Sequence, residues 1–172
     1  AQAAYALTLS EGGEARAVIV AASEPTPAER TAAAELKAYL QTVTGAEFSV
    51  VREDDPGAGA RLLVGPSEAA RRILGETVVD GLGPEELIVR TVGGDLLLAG
   101  GRPRGTLYGV YTFMEDYMGV RFLTAGHTHT PPLAASVPLG LIDRTYTPPL
   151  RWRYTYYGEN HSDHAFATRY GL

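Results

Sequence analysis

The 172 residues contain no cysteine. That absence excludes a disulfide framework and thiol chemistry, but it does not fix the compartment, since many exported proteins also lack cysteine. A surplus of basic charge is missing as well: the net charge is -5 and the pI about 5.4. Nucleic-acid binders more often carry a basic face, so no nucleic-acid partner is expected. No apolar run reaches the roughly 18 residues of a membrane span, so no membrane-spanning segment is expected either. Internal repeats and low-complexity tracts are also lacking. What remains is a globular composition, 45% hydrophobic and 20% charged, long enough for one domain with a sizeable core and the edge of another. The opening residues, Ala1-Gln2-Ala3-Ala4, are small, like those around signal-peptide cleavage sites, and equally suit an arbitrary starting point.

The chain is organised around Asp95 to Leu123, which reads as strand, glycine turn, helix, strand. Leu96, Leu97 and Leu98 form an apolar run of strand length, ended by Gly100 and Gly101. Leu107, Val110, Tyr111, Met114 and Met118 recur at helical spacing, Gly119 suits a C-terminal cap, and Val120, Phe122 and Leu123 begin another strand. Earlier in the chain, Tyr5, Leu7 and Leu9 alternate as in a half-buried strand, and Ala17 to Ala21 is a continuous apolar strand. Thr26-Pro27-Ala28-Glu29 starts a helix whose stripe is Ala33, Leu36, Leu40 and Val43, with Gly45 ending it. Further strands are expected around Phe48 to Val51 and over Leu62 to Gly65. A short helix follows over Pro66 to Leu74, then a hairpin across Gly93-Gly94 and a last strand over Val137 to Ile142. The stretch Tyr146 to Tyr157 is rich in aromatics and arginine, and Pro148-Pro149 within it marks a boundary.

Three motifs invite chemistry and are better explained by structure. Gly100-Gly101-Arg102-Pro103-Arg104-Gly105-Thr106 has the setting of a phosphate loop, but the lysine before Thr106 is missing and Pro103 removes a donor. Gly105 and Gly109 then serve close helix packing, and Arg104 is expected to pair with a carboxylate or a backbone carbonyl. The pairs His127/His129 and His161/His164 each have the spacing of two zinc ligands, yet no HExxH pattern is present, and Pro131-Pro132 puts the first pair in a loop. Neither a metal nor a cofactor is expected. Glu115 and Asp116 fall opposite the apolar stripe and read as solvent-facing, not as a glycosidase acid and base.

The pattern AGGRPRGTLYGVYTFMEDYMGVRFL, with the helix AAAELKAYLQTVTG and the strand RLLVG, resembles the N-terminal accessory domain that precedes the catalytic barrel in α-glucuronidases and α-glucuronidase-like bacterial proteins. The β-N-acetylhexosaminidases carry a similar domain. The resemblance implies a two-layer α+β domain over residues 1–145, with a mixed, largely antiparallel sheet carrying the helices Thr26–Val43 and Gly105–Met118 on one face. Residues 146–172 would then be a linker and the first strand–loop–helix of a catalytic (β/α) barrel, whose active sites sit on the loops after strands. In Arg151-Trp152-Arg153-Tyr154-Thr155-Tyr156-Tyr157, Trp152, Tyr154 and Tyr156 would face one way on that strand, and Ser162 would cap the helix after it.

Pro148 to Arg153 also resembles the segment entering the first barrel strand of the hexosaminidases, where a terminal arginine contacts the sugar. Arg153 is the matching position, and Tyr157, Glu159, Asn160 and His161 on the following strand end and loop complete the expected substrate-binding set. Leu150 stands where an aromatic is common and Tyr154 where glycine is common; the other reading is that these arginines and tyrosines simply pack. The expected function is a non-catalytic domain of a glycoside hydrolase in polysaccharide breakdown, packing on its own barrel and shaping the cleft for a carbohydrate substrate. A barrel needs about 250 residues, so the catalytic carboxylates are expected beyond Leu172. The resemblance further implies a secreted or periplasmic bacterial protein. A stand-alone carbohydrate-binding or partner-docking module is the alternative. Without the strands of a barrel beside it, the tail is expected to be disordered or docked non-natively on the accessory domain or on another copy of the chain. Docking is favoured, because Trp152, Tyr154, Tyr156 and Phe166 each gain roughly 1.5–3 kcal/mol on burial.

Overall fold

A computed structural model describes residues 6–55, 57, 59–150, 152, 153, 155 and 158–172. In chain order, β1 (Leu7–Glu11) and β2 (Glu14–Ala15) form a hairpin, followed by β3 (Ala17–Ala21). Helix α1 (Pro27–Thr44) opens on a capping box: Thr26 Oγ1 accepts from the Glu29 N–H at 3.2 Å and the Glu29 carboxylate accepts from the Thr26 N–H at 2.9 Å. Next come β4 (Val50–Arg52), β5 (Ala60–Val64), α2 (Glu68–Leu74) and α3 (Glu76–Asp80), and then the hairpin β6 (Leu87–Val92) and β7 (Asp95–Gly100). Helix α4 (Gly105–Met118), the ribbon β8 (Arg121–Thr124) and β9 (His127–His129), β10 (Val137–Leu139) and β11 (Asp143–Tyr146) follow. The chain closes with α5 (Gly158–Ser162) and α6 (His164–Arg169).

The main sheet has the order β11-β6-β7-β5-β3-β4. Strands β7, β5, β3 and β4 run parallel, in a register that sets Leu62, Leu63 and Val64 beside Leu96, Leu97 and Leu98. Strands β11, β6 and β7 are antiparallel, as are the small sheets β10-β1-β2 and β8-β9. The main sheet is therefore mixed, with three parallel pairings and two antiparallel, and the small sheets make antiparallel pairings the more numerous over all described strands, five to three. Helices α1 and α4 pack on each other and on one face of it, as expected. Leu36, Leu40, Val110, Phe113 and Met114 bury there against Ile19, Leu62, Leu96 and Leu98. The apolar runs of β3, β5 and β7 present side chains to both faces, and parallel strands of that kind need cover on both. The short α2 and α3 cover the second face, where Ala69, Ala70 and Val79 meet Val20, Leu63 and Leu97.

The glycine loop before α4 is shaped by backbone contact. A Cβ on Gly101 would lie 1.8 Å from the Gly83 carbonyl oxygen, and one on Gly100 would lie 2.1 Å from the Gly105 carbonyl carbon. No side chain fits either place, which accounts for the glycine pair without any ligand.

The C-terminal segment departs from expectation in detail. Trp152, Arg153 and Thr155 lie in no strand, because no neighbouring strand stands beside them to complete a ladder. Arg151, Tyr154, Tyr156 and Tyr157 lie outside the described residues. Asp163, not Ser162, caps α6, its carboxylate accepting from the Phe166 N–H at 2.9 Å. Ser162 Oγ instead turns back to the Gly158 carbonyl at 3.1 Å. Docking is met at Phe166, which joins the main core as α6 packs on α4 and β8, whereas Trp152 stays 81% exposed.

Candidate functional site

The geometry of the expected site begins with Arg153. Its Nε donates to the Gly171 carbonyl at 2.8 Å, its Nη1 to the Leu150 carbonyl at 2.7 Å, and its Nη2 pairs with the Glu85 carboxylate. Glu85 also takes Nη2 of Arg104 at 2.8 Å, so one carboxylate bridges two arginines. Arg104 Nη1 reaches the Leu172 carbonyl at 3.4 Å, so the arginine of the glycine loop pairs with a carboxylate and a backbone carbonyl as its sequence setting suggests. Such charge-assisted bonds fix the position of Arg153 in the wall of the smaller cleft.

The polar loop follows on α5. Glu159 Oε2 accepts from the Ala125 N–H at 3.1 Å, tying the loop to the turn between β8 and β9. Asn160 Nδ2 donates to Thr155 Oγ1 at 2.8 Å, while its Oδ1 is buried with no hydrogen-bond partner. Two clefts meet here, sharing Thr155, Asn160 and Leu172 in their walls. The larger, about 620 Å³, has apolar walls of Leu123, Phe166 and Tyr170 beside Glu159. The smaller, about 330 Å³, has Arg104, Arg153, His161 and His164 around it. The structure thus brings Arg153, Glu159, Asn160 and His161 together. Tyr157 lies outside the described residues.

Arg104, Glu85, Leu123 and Tyr170 complete the surroundings and were not among the expected site residues. Tyr170 follows Phe166 by four residues, and that spacing places both on one helical face. Glu85 carries no such signal, because its partner Arg153 lies 68 residues away.

Burial raises the hydroxyl pKa of Tyr108, beside Arg104 and Glu85, and that of Tyr170. Burial, then the nearby Glu35 carboxylate, pushes Tyr111 up to about 12. All three phenols therefore stay neutral at ordinary pH. Among the described residues lining either cleft, Glu159 is the one carboxylate, whereas glycoside hydrolysis uses a pair. A polar loop beside an apolar wall can bind a ring that carries hydroxyls.

Elsewhere, His127 and His129 are exposed on β9, and among the described residues no three His, Asp or Glu side chains gather to hold a metal. Asp116 pairs with Arg144 at 3.0 Å, and burial raises the pKa of the half-buried Glu115.

A second crevice lies at the carboxyl ends of β3 and β5, where the chain leaves toward opposite faces of the sheet. Carboxylates of the chain fill it. Glu53 accepts from the Ser23 N–H at 2.8 Å, from Ser23 Oγ at 2.9 Å and from the Glu68 N–H of α2 at 2.9 Å. Glu29, 2% exposed at the start of α1, takes Nε of Arg102 at 2.9 Å.

The model of the glycosyl hydrolase family 67 N-terminus matches residues 8–113. The chain belongs to this family. The match covers β1 through most of α4, so the matched region includes the double helix layer and the glycine loop and ends before α5 and α6 of the clefts. No curated protein matches the chain. Among solved structures, a family GH115 4-O-methyl-α-glucuronidase with specificity for decorated arabinogalactans is similar in fold, with a TM-score of 0.57 at 19% identity. The likeness covers 85% of this chain and 19% of that one. This family 67 domain therefore corresponds in length to about a fifth of that enzyme.

Proposed function

We propose that the domain, over residues 1–145, is a non-catalytic part of an α-glucuronidase-like enzyme of polysaccharide breakdown. It packs on a catalytic barrel begun by residues 146–172 and helps shape that barrel's substrate cleft. Arg153, Tyr157, Glu159, Asn160 and His161 contact the sugar in this reading. The observation that carries it is the clustering of Arg153, Glu159, Asn160 and His161 around two joined clefts, with Arg153 fastened to Glu85 of the family domain. A single carboxylate among the described lining residues fits a binding role and leaves the acid–base pair to the barrel.

The test is hydrolysis of aldouronic acids and aryl glycosides by this chain and by the full-length protein. No turnover by the chain and turnover by the full-length protein is the expected result; hydrolysis by the chain alone sinks the non-catalytic assignment. Replacing Asn160 with Ala in the full-length protein should raise KM. We further infer export to a secreted or periplasmic setting, where polysaccharide is met; among the described residues no helix is long and apolar enough to cross a membrane.

A second reading, a carbohydrate-binding module acting alone, is favoured by Tyr170, which is 49% exposed and lines the larger cleft. Titrating the chain with xylo- and chito-oligosaccharides decides it: no response at millimolar sugar removes this reading.

A further inference from the structure

The loop that carries Glu159, Asn160 and His161 is held from both sides by two acids of the family domain. On the N-terminal side, Glu85 of the turn before β6 takes Arg153 and Arg104 together, with its side chain 19% exposed. On the C-terminal side, Glu35 of α1 faces Arg169 of α6 at 3.7 Å, their side chains 26% and 17% exposed. The Arg169 guanidinium also lies over the Phe122 ring, 5.3 Å from its centre. Glu35 Oε2 and Arg169 Nε are buried with no hydrogen bond, so charge and packing hold this pair, not a fitted fork. Between the two acids, Phe166 enters the core, and the Tyr170 hydroxyl bonds to the Phe122 carbonyl.

We propose that Glu35 and Glu85 are positioning residues. They pin the chain before and after residues 158–161 and so set where Glu159, Asn160 and His161 stand. This deepens the proposed cleft-shaping role and rests on it for the sugar contact. The acids touch no substrate in this account; they act through Arg153 and Arg169. Isolated exposed ion pairs add little, but each of these is mostly withdrawn from water, and removing one partner strands the other charge.

The test uses Glu85→Gln and Glu35→Gln, with Glu68→Gln as the control, since Glu68 pairs with Arg71 on α2. In the 172-residue chain, amide exchange over residues 163–171 should quicken by about tenfold or more in either variant. The Asn160 side-chain amide resonance should shift, and the control should change neither. Exchanging the charges, Glu35→Arg with Arg169→Glu, should restore the slow exchange. In the full-length protein, KM for an aldouronic acid should rise several-fold with kcat nearly unchanged. If Glu35→Gln fails to fold, Glu85→Gln decides alone. Unchanged exchange and an unmoved Asn160 resonance overturn the pins. Quickened exchange with an unchanged KM leaves the pins standing and overturns the sugar contact on which their purpose rests.

Discussion

At the scale of single residues, two positions are decided by what has no room or no alternative. Gly101 sits against the Gly83 carbonyl, and backbone cannot step aside as a side chain would. Gly101→Ala should therefore destabilise by more than the roughly 1–3 kcal/mol of ordinary overpacking, read as a lowered urea midpoint. Glu53 shows how hydrogen bonds can outweigh burial. Burial alone would raise its pKa, but the Ser23 N–H and hydroxyl and the N–H groups of Glu68 and Ala69 hold it below the usual carboxylate range. A lowered folded pKa stabilises above the unfolded value, and the gain is lost as pH falls through the folded one. The Tm gap between this protein and Glu53→Gln should be widest near neutral pH and close as the pH falls below the ordinary glutamate range. A gap independent of pH would mean that the carboxylate's charge is irrelevant to its seat. Neither role was legible in the sequence. Glycine pairs mark turns without saying which carbonyl blocks a side chain, and an acid's donors lie on other elements.

At the scale of elements, the long helices and the β6–β7 hairpin were readable because each buries a periodic stripe or frames a glycine turn. Helix α3, strand β9 and strand β11 were not. All four side chains of β11 are exposed, so no alternation betrays it; its ladder with β6 and the 2.7 Å Arg90–Asp143 pair hold it. Strand β9 is three residues long with both histidines outward, which reads as loop. The expected barrel strand fails at its described residues for the opposite reason, since its pattern fits a strand but no partner strand stands beside it. Helix α6 earns its place through Phe166, which is 6% exposed. Phe166→Ala should cost about 3–5 kcal/mol in chemical unfolding if the tail is part of the core at all temperatures below the transition. A cost near zero would show that α6 detaches before the domain unfolds.

At the scale of the molecule, the question is whether the last residues belong to the family 67 domain or only rest on it. The α1–α4 layer and the main sheet close without them, but Phe166, Arg169 and Arg153 each reach back. A chain ending after residue 150 should still unfold in one cooperative step, at a lower Tm than the 172-residue chain. Loss of the cooperative step would move the domain boundary past residue 145. The site shows the same division of legibility. A resemblance pointed to Arg153 and the loop after it, but the facing cleft walls come from Arg104 of the glycine loop, Leu123 of β8 and the residues of α6, and only folding gathers those.

The crevice between the ends of β3 and β5 carries a last consequence. Open α/β sheets commonly receive their ligands at such a crossing point. Here the chain is its own ligand there: Glu53 and Glu29 occupy the amide donors and the arginine that a visiting phosphate would seek. An anion arriving there would have to displace these two carboxylates from the donors they already hold.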